Sequence, residues 1–298
     1  MIAKKFLPCL ARCVIAFWTI ASAQSFAADC CSNKKSQQVT ADTHKGLKIE
    51  LISSVDSIKP GGTFEVGLHI KHDQKLFPLN RLFPQYHTYW INPGVVGIPT
   101  EIKWKLPEGF TASKVQWPYP ELSMMADIPC YGYERDVVLL YTISAPAKLD
   151  KKEITLIGDA SWMCCATYCY PGYSKLTLSI PVGDGTPKKS TTALFAQARK
   201  EIPQASKAIK ASLLSAPDAS LIKVLLSSDK PFTPIHVFNS DKQATPDQTS
   251  TIEIQPDGSW LYQTTRSRVS PKNAKEFPMV LQTKRGFVSL TAKPIENQ

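Results

Sequence analysis

The residues with the clearest chemical potential are cysteines, and they are clustered. The 298-residue chain has eight of them, and none lies beyond Cys169. Three fall within the segment 159–172 (DASWMCCATYCYPG), namely Cys164, Cys165 and Cys169. In a helical turn or a compact loop, Cys165 and Cys169 can approach the ~5.5 Å Cα separation that a disulfide needs. One extended strand would hold them more than twice as far apart.

A disulfide between Cys165 and Cys169 has two interpretations. Because it closes a very small loop, it restrains the unfolded chain little and adds less stability than a long-range bridge, which favours a reversible redox couple. The alternative is an ordinary loop disulfide in an exported domain, and the spacing alone weighs the two equally. The sequence contains no C-x-x-C, H-E-x-x-H, G-x-S-x-G, P-loop or G-x-G-x-x-G motif. These absences argue against thioredoxin-type, zinc-peptidase, hydrolase and nucleotide sites.

The N-terminus predicts export. Lys4 and Lys5 precede an apolar stretch that is uninterrupted over residues 14–23, and small residues that suit signal peptidase follow it. This stretch is shorter than the ~20 residues that span a bilayer. We therefore expect residues 1–27 to be a cleaved signal peptide, and the mature chain to occupy a compartment where disulfides form and persist.

Composition excludes two other classes of protein. Hydrophobic residues make up 43% of the chain, which is too many for a disordered protein. The formal net charge is +10, but the basic residues are dispersed and have no interleaved RNA-binding aromatic motif. We therefore expect no nucleic-acid partner.

The elements that must position the cysteines are predicted to be β-strands. Alternation of apolar and polar residues, or a short apolar run, predicts strands over residues 47–51, 64–70, 102–106, 137–143, 154–157 and 176–182. Pro- and Gly-containing turns separate them, and Pro171-Gly172 is one such predicted turn. Short strands without a helical period predict an antiparallel β-sandwich.

The chain divides into five predicted segments. They are the signal peptide (1–27), a flexible polar leader (28–45), the cysteine-bearing sandwich (46–184), a linker with a short helix (185–217) and a second, smaller β domain (218–298). The leader carries the vicinal pair Cys30 and Cys31, interpreted as an incidental or intermolecular disulfide. The second domain has no cysteine and a single histidine, His236, and we assign no chemistry to it.

Several motifs occur in an order that resembles a known family. They are residues 90–94 (WINPG), 97–100 (GIPT), 104–110 (WKLPEGF), 116–120 (QWPYP), 131–134 (YGYE) and 165–172 (CATYCYPG). The series resembles the periplasmic N-terminal region of the thiol:disulfide interchange proteins DsbD and ScsB, also called the disulfide bond corrector family. The resemblance covers roughly residues 45–185 and extends more weakly to the C-terminus.

The resemblance implies a fold, a site and partners. It implies an immunoglobulin-like sandwich in the periplasm whose paired cysteines, here Cys165 and Cys169, carry electrons without a cofactor. The electrons would come from a membrane-embedded DsbD- or ScsB-like donor and pass to periplasmic thioredoxin-fold or other disulfide proteins. A cap loop that shields the pair corresponds to residues 127–133, with Asp127, Cys130, Tyr131, Gly132 and Tyr133 as its site residues. We expect partners to engage Cys169, which lies at the Tyr-Pro-Gly end of the segment.

The chain departs from the family pattern in three ways. It ends at Gln298, so we expect the electron donor to be a separate protein. Cys130 lies in the cap and Cys164 precedes Cys165, where other residue types are expected. We hypothesise that Cys130 and Cys164 form a disulfide with each other, or that Cys130 is a third redox thiol.

Two alternatives to an electron carrier remain open. Cu(I) prefers thiolate and thioether ligands, so Cys164, Cys165, Cys169, Met124 and Met125 form an alternative copper-binding set. The ScsB-like proteins that the chain resembles are linked with copper tolerance. The other alternative is a non-catalytic interaction sandwich with structural disulfides.

Overall fold

The structure, a computed structural model, describes residues 47–72 and 86–295. The predicted signal peptide and leader, with Cys9, Cys13, Cys30 and Cys31, lie outside the described residues. The cysteine-bearing part contains the strands β1 (Leu47–Ser53), β2 (Thr63–His72), β3 (Thr88–Tyr89), β4 (Glu101–Lys105), β5 (Thr111–Ala112), β6 (Glu121–Met125), β7 (Ile128–Tyr133), β8 (Val137–Ser144), β9 (Glu153–Cys165) and β10 (Cys169–Pro181). After them come the helix α1 (Lys189–Glu201) and the strands β11 (Gln204–Ala205), β12 (Ile209–Leu213), β13 (Leu221–Ser228), β14 (Pro234–Asn239), β15 (Ser250–Ile254), β16 (Trp260–Thr265), β17 (Phe277–Thr283) and β18 (Gly286–Pro294).

Two antiparallel sheets form the sandwich. Their strand orders are β1-β2-β8-β5 and β10-β9-β4. Every second residue of β9 is buried, because successive side chains of a strand point to opposite faces. Leu51, Leu68, Leu139 and Leu156 pack together in the hydrophobic core that both sheets share. The predicted fold class is all-β, an immunoglobulin-like antiparallel sandwich followed by a short helix and a second, smaller β-sandwich-like domain. The antiparallel sheets and the single helix α1 among the described residues confirm this class.

The helix α1 covers the outer face of the β1-β2-β8-β5 sheet. Phe195 and Ala198 of the helix pack against Val138 and Leu140 of β8. This contact explains why β8 is apolar on both faces. The helix ends at Glu201, just before Pro203, as expected where the proline disfavours helical backbone in the residue before it.

The predicted cap loop is instead a β-hairpin. Strands β6 and β7 pair antiparallel around a turn at Ala126 and Asp127, and β3 pairs with the other edge of β7. We call residues 121–133 the cap hairpin. The hairpin was missed because Pro129 and Gly132 interrupt the strand pattern of this segment.

The cysteine segment lies at the tip of a long hairpin. The strands β9 and β10 pair along their whole length, from Pro181 opposite Glu153 to Cys169 opposite Cys165. The predicted turn at Pro171-Gly172 is therefore wrong, since both residues lie within β10. This strand is at the edge of its sheet, where proline is tolerated, and Gly172 leaves room for the indole of Trp162.

The C-terminal strands form an eight-stranded sheet with a second core. Its order is β14-β17-β18-β12-β13-β16-β15, with β11 beside β18, and Leu226, Phe277 and Leu281 lie in its core. Strands β11 and β12 fall within the segment predicted to be a linker. Phe238 and Val280 of this sheet join the core of the sandwich, and the described residues belong to one compact unit. Among them, no helix is both long and apolar enough to cross a membrane.

Candidate redox site

The pair Cys165 and Cys169 forms a disulfide across the tip of the β9–β10 hairpin. Their Cα atoms are 4.2 Å apart and only residues 166–168 separate the two strands. Residues directly opposite in an antiparallel pair carry side chains on the same face, which brings the two sulfurs together. The compact loop that the spacing requires is thus a hairpin loop.

The two sulfurs lie in different environments. Cys165 is 0% exposed, whereas Cys169 is exposed. Cys165 packs with Tyr89 and Cys130 in a small buried cluster, and the Tyr89 hydroxyl lies 3.9 Å from the Cys169 Sγ. Burial raises the pKa of the Tyr89 hydroxyl above its ordinary range, so Tyr89 stays neutral. One half of the disulfide is therefore open to a partner and the other is held in the protein.

His87 connects Cys165 to Cys130. The His87 backbone N–H donates to the Cys165 carbonyl (2.9 Å), and the Cys165 N–H donates to the His87 carbonyl (3.0 Å). The His87 Nε2 lies 3.4 Å from the Cys130 Sγ, and both side chains are fully buried. Burial raises the pKa of the Cys130 thiol to about 12, so at neutral pH this cysteine is a thiol rather than a thiolate.

The cap hairpin lies directly against the disulfide loop. The Ala126 N–H donates to the Ala166 carbonyl at 3.3 Å. Of the predicted cap residues, Asp127 is exposed in the hairpin turn, whereas Cys130, Tyr131, Gly132 and Tyr133 are buried. Cys130 shares a buried cluster with Cys165, whereas Tyr131 and Tyr133 lie in the core of the sandwich.

The eight-stranded sheet holds the cap hairpin from the other side. A 3.0 Å hydrogen bond joins the Tyr131 Oη to the His236 Nε2, and the Tyr131 ring makes an edge contact with Phe238. Burial lowers the pKa of His236, so its ring is neutral near pH 7. In the adjacent loop, Asn92 donates to the carbonyls of Asn239 (2.8 Å) and Ala244 (2.9 Å). His236, to which the sequence gives no role, therefore positions the cap.

Arg135 fixes the end of the cap hairpin. Its Nε donates to Glu121 of β6 (2.7 Å), its Nη1 to Glu201 at the end of α1 (2.6 Å) and its Nη2 to the Tyr119 carbonyl (3.1 Å). Its guanidinium group also lies 4.7 Å from the centre of the Tyr119 ring. Two carboxylates and a carbonyl thus converge on one partly buried cation, and they tie the cap to the sandwich and the helix.

The predicted disulfide between Cys130 and Cys164 is wrong for this structure, in which both cysteines are free. Adjacent residues of a strand point to opposite faces, so Cys164 and Cys165 diverge. Cys165 faces the cluster that contains Cys130, whereas Cys164 lies in the core of the sandwich. Burial raises the pKa of the Cys164 thiol to about 12.

The alternative copper-binding set is not brought together. Cys165 and Cys169 are joined to each other, Cys164 faces the sandwich core, and Met124 is 46% exposed on the cap. Only Met125 of the two predicted methionines packs against the cluster around Cys165. Within residues 47–72 and 86–295, no group of three or more His, Cys, Asp or Glu side chains is arranged to hold a metal ion.

The sequence interpretation missed three residues of the site: His87, Tyr89 and His236. A weak signal existed for the first two, because residues two apart on a strand share a face and both precede the WINPG motif. No local signal identifies His236, which is distant in sequence from the cap residue that it contacts.

The fold places a disulfide at the tip of a hairpin in an immunoglobulin-like sandwich, with Cys165 buried and Cys169 exposed. Residues 55–181 match the family model described as thiol:disulfide interchange protein DsbD, N-terminal, and this match supports the resemblance of that part of the chain to the DsbD and ScsB N-terminal region. No curated protein matches the chain in sequence.

Comparison with solved structures agrees on the fold. The chain is similar to the N-terminal periplasmic domain of ScsB from Proteus mirabilis, with a TM-score of 0.62 at 14% identity, over 87% of this chain and 97% of that one. A conserved domain protein from Bacillus anthracis gives a TM-score of 0.25 at 10% identity, over 83% of this chain and 77% of that one. The Escherichia coli adhesin FdeC gives a TM-score of 0.22 at 10% identity, over 85% of this chain and 66% of that one.

Proposed function

We propose that this chain is a periplasmic thiol–disulfide interchange protein that carries electrons through a reversible Cys165–Cys169 disulfide. The donor is a membrane-embedded protein of the DsbD or ScsB type, and the acceptors are oxidised thioredoxin-fold or other disulfide proteins of the periplasm. The observation that carries the proposal is the asymmetry of the disulfide, in which Cys169 is exposed and Cys165 is buried.

This asymmetry supports one order of steps. A donor thiolate attacks the exposed Cys169 sulfur, the disulfide breaks, and Cys165 leaves with the electron pair and is protonated. A second donor thiol then attacks the mixed disulfide at the donor's own sulfur, so the donor leaves oxidised and this chain holds two thiols. With an acceptor the same steps run in reverse, and Cys169 is the attacking thiol. In both directions, the intermolecular bond forms at Cys169.

The cap hairpin supports a role in selecting partners. It packs on the buried side of the disulfide and leaves the exposed side open. A small oxidant or a wrong thiol therefore has no route to Cys165. A docking protein reaches Cys169 without first unfolding the sandwich.

The reduction potential of the disulfide tests the proposal. The mature protein is equilibrated in glutathione buffers, its thiols are trapped with acid and alkylated, and the reduced fraction is read by mass spectrometry. An exchanging disulfide lies above about −300 mV, whereas a structural one lies below that value. A bridge that stays oxidised in excess reduced glutathione would overturn the proposal in favour of the structural alternative.

A matched pair of variants tests the order of steps. Cys165→Ser leaves an exposed thiol at Cys169, and Cys169→Ser leaves a buried thiol at Cys165. We expect the first variant to form a stable mixed disulfide with oxidised glutathione at least about tenfold faster than the second. Equal rates in the two variants would contradict attack at Cys169.

A further inference from the structure

A third cysteine packs in the same buried cluster as the disulfide. Cys130 lies on β7 of the cap hairpin, is 0% exposed, and shares a cluster with Cys165 and Tyr89. The side chains of Val96, Met125 and Met163 pack around this cluster. Thiol–disulfide exchange requires a thiol that can approach one sulfur of a disulfide, and Cys130 shares its buried cluster with Cys165, one half of the disulfide.

One histidine contacts both cysteines, Cys165 through its backbone and Cys130 through its side chain. His87 and Cys165 are directly opposite each other in an antiparallel bridge, so their side chains leave the backbone on the same face. The His87 Nε2 is 3.4 Å from the Cys130 Sγ. In the tautomer with its proton on Nδ1, His87 accepts a hydrogen bond from the Cys130 thiol and is placed to take its proton.

We propose that Cys130 is a third exchange-active thiol that converts the Cys165–Cys169 disulfide into a Cys130–Cys165 disulfide. The Cys130 sulfur attacks the Cys165 sulfur, the Cys165–Cys169 bond breaks, and Cys169 leaves with the electron pair. The proton of Cys130 passes to His87, and the Cys169 thiolate takes a proton from water. One disulfide forms and one breaks, so no oxidant or reductant is needed. The inference deepens the proposed function, because it requires the same disulfide to be exchangeable.

The conversion changes which face of the protein is reactive. Before it, the exposed sulfur of Cys169 is half of a disulfide and receives an attacking thiolate. After it, Cys169 is an exposed free thiol, and the oxidised pair is buried beneath the cap. Burial raises the pKa of Cys130 to about 12, so the attacking thiolate is scarce and proton transfer to His87 governs the rate.

Disulfide mapping of the oxidised mature protein tests this inference. The protein is incubated under native conditions, free thiols are alkylated at successive times, and the digest is analysed for linked peptides. We expect a Cys130–Cys165 peptide with alkylated Cys169 to appear in wild type and reach a plateau. Cys130→Ala should abolish this species, and His87→Gln should slow its appearance on the order of a hundredfold.

Cys164 supplies the matched control, since it is equally buried and adjacent to Cys165 but faces the sandwich core. Cys164→Ala should leave the rate and the plateau unchanged. In Cys169→Ala treated with oxidised glutathione, Cys130 and Cys165 should form a disulfide while Cys164 stays free. If the Cys130–Cys165 linkage never appears in wild type, the inference is overturned, and its absence from Cys169→Ala as well would show that the two sulfurs do not come within bonding distance.

Failure of the inference is distinguishable from failure of the proposed function. A wild-type protein that is reversibly reduced by glutathione but never yields the Cys130–Cys165 peptide overturns only the inference. A disulfide that is neither reduced nor rearranged overturns both.

Discussion

The contact between Tyr131 and His236 yields a quantitative prediction about opening of the cap. Tyr131→Phe keeps the ring and its packing but removes the hydroxyl that bonds to His236 at 3.0 Å. Tyr131 is only 4% exposed, so water does not readily replace the lost partner. Leaving a buried polar group unsatisfied costs about 1–3 kcal/mol, and we expect the free energy of unfolding to fall by that amount.

The rate of alkylation of Cys130 measures the same destabilisation at the cap hairpin itself. Its thiol is fully buried and lies on the cap hairpin, so a reagent in native buffer reaches it only after the cap opens. If opening breaks the Tyr131–His236 bond, Tyr131→Phe should speed alkylation of Cys130 by about 5- to 150-fold. Cys164, in the sandwich core, reports global unfolding in the same sample and should react more slowly in both proteins.

Tyr173→Phe is the matched control, because Tyr173 lies on β10 and is 77% exposed. In this variant we expect the free energy of unfolding to stay within about 0.5 kcal/mol of wild type and the alkylation rate of Cys130 to stay within about twofold. The reasoning is refuted if Tyr131→Phe lowers the free energy of unfolding but leaves alkylation of Cys130 unchanged. The cap would then open without separating from the eight-stranded sheet.

Three further predictions concern stability, measured by urea unfolding of the oxidised protein. Gly172→Ala should lower the free energy of unfolding by about 1–3 kcal/mol, because the added Cβ would overlap the indole ring of Trp162. The control Gly158→Ala makes ordinary 3.5 Å contacts and should cost less than about 1 kcal/mol, and equal costs would refute the steric argument. Arg135→Met leaves two carboxylates without their shared cation and should lower the free energy of unfolding by about 2–4 kcal/mol. The control Arg199→Met breaks a more exposed ion pair and should cost under about 1 kcal/mol, and the reverse order would contradict the role of Arg135. Burial lowers the pKa of His72 from 6.5 to about 4, so the unfolded state binds more protons between these values. The resulting stability is present above pH 6.5 and lost as the pH falls towards 4, by roughly 3 kcal/mol, and His72→Phe should flatten this dependence; an unchanged slope would show that other groups cause it.

The local pattern of apolar and polar residues was sufficient to predict most of the longer strands of the sandwich. Alternation of apolar and polar side chains locates β1, β2, β8 and the inner parts of β9 and β10, because successive side chains of a strand point to opposite faces and only one face is buried. The spacing of Cys165 and Cys169 likewise restricts them to a turning segment. The cap is the exception, since Pro129 and Gly132 hide a hairpin whose pairing with β3 depends on a distant segment.

The sequence by itself determined most of the longer strands of the sandwich, its antiparallel β class and the short-range spacing of Cys165 and Cys169, because these follow from side-chain alternation and from the distance along the chain. Only the tertiary structure decided that Cys130 shares a cluster with Cys165 rather than with Cys164, that His87 contacts both cysteines, and that His236 bonds to Tyr131. These neighbours are separated by 35 to 105 positions and are joined by sheet register and by the packing of one sheet on another. The physical reason is that the two-residue period of a strand determines which of its residues share a face, whereas long-range packing determines which distant residues that face contacts.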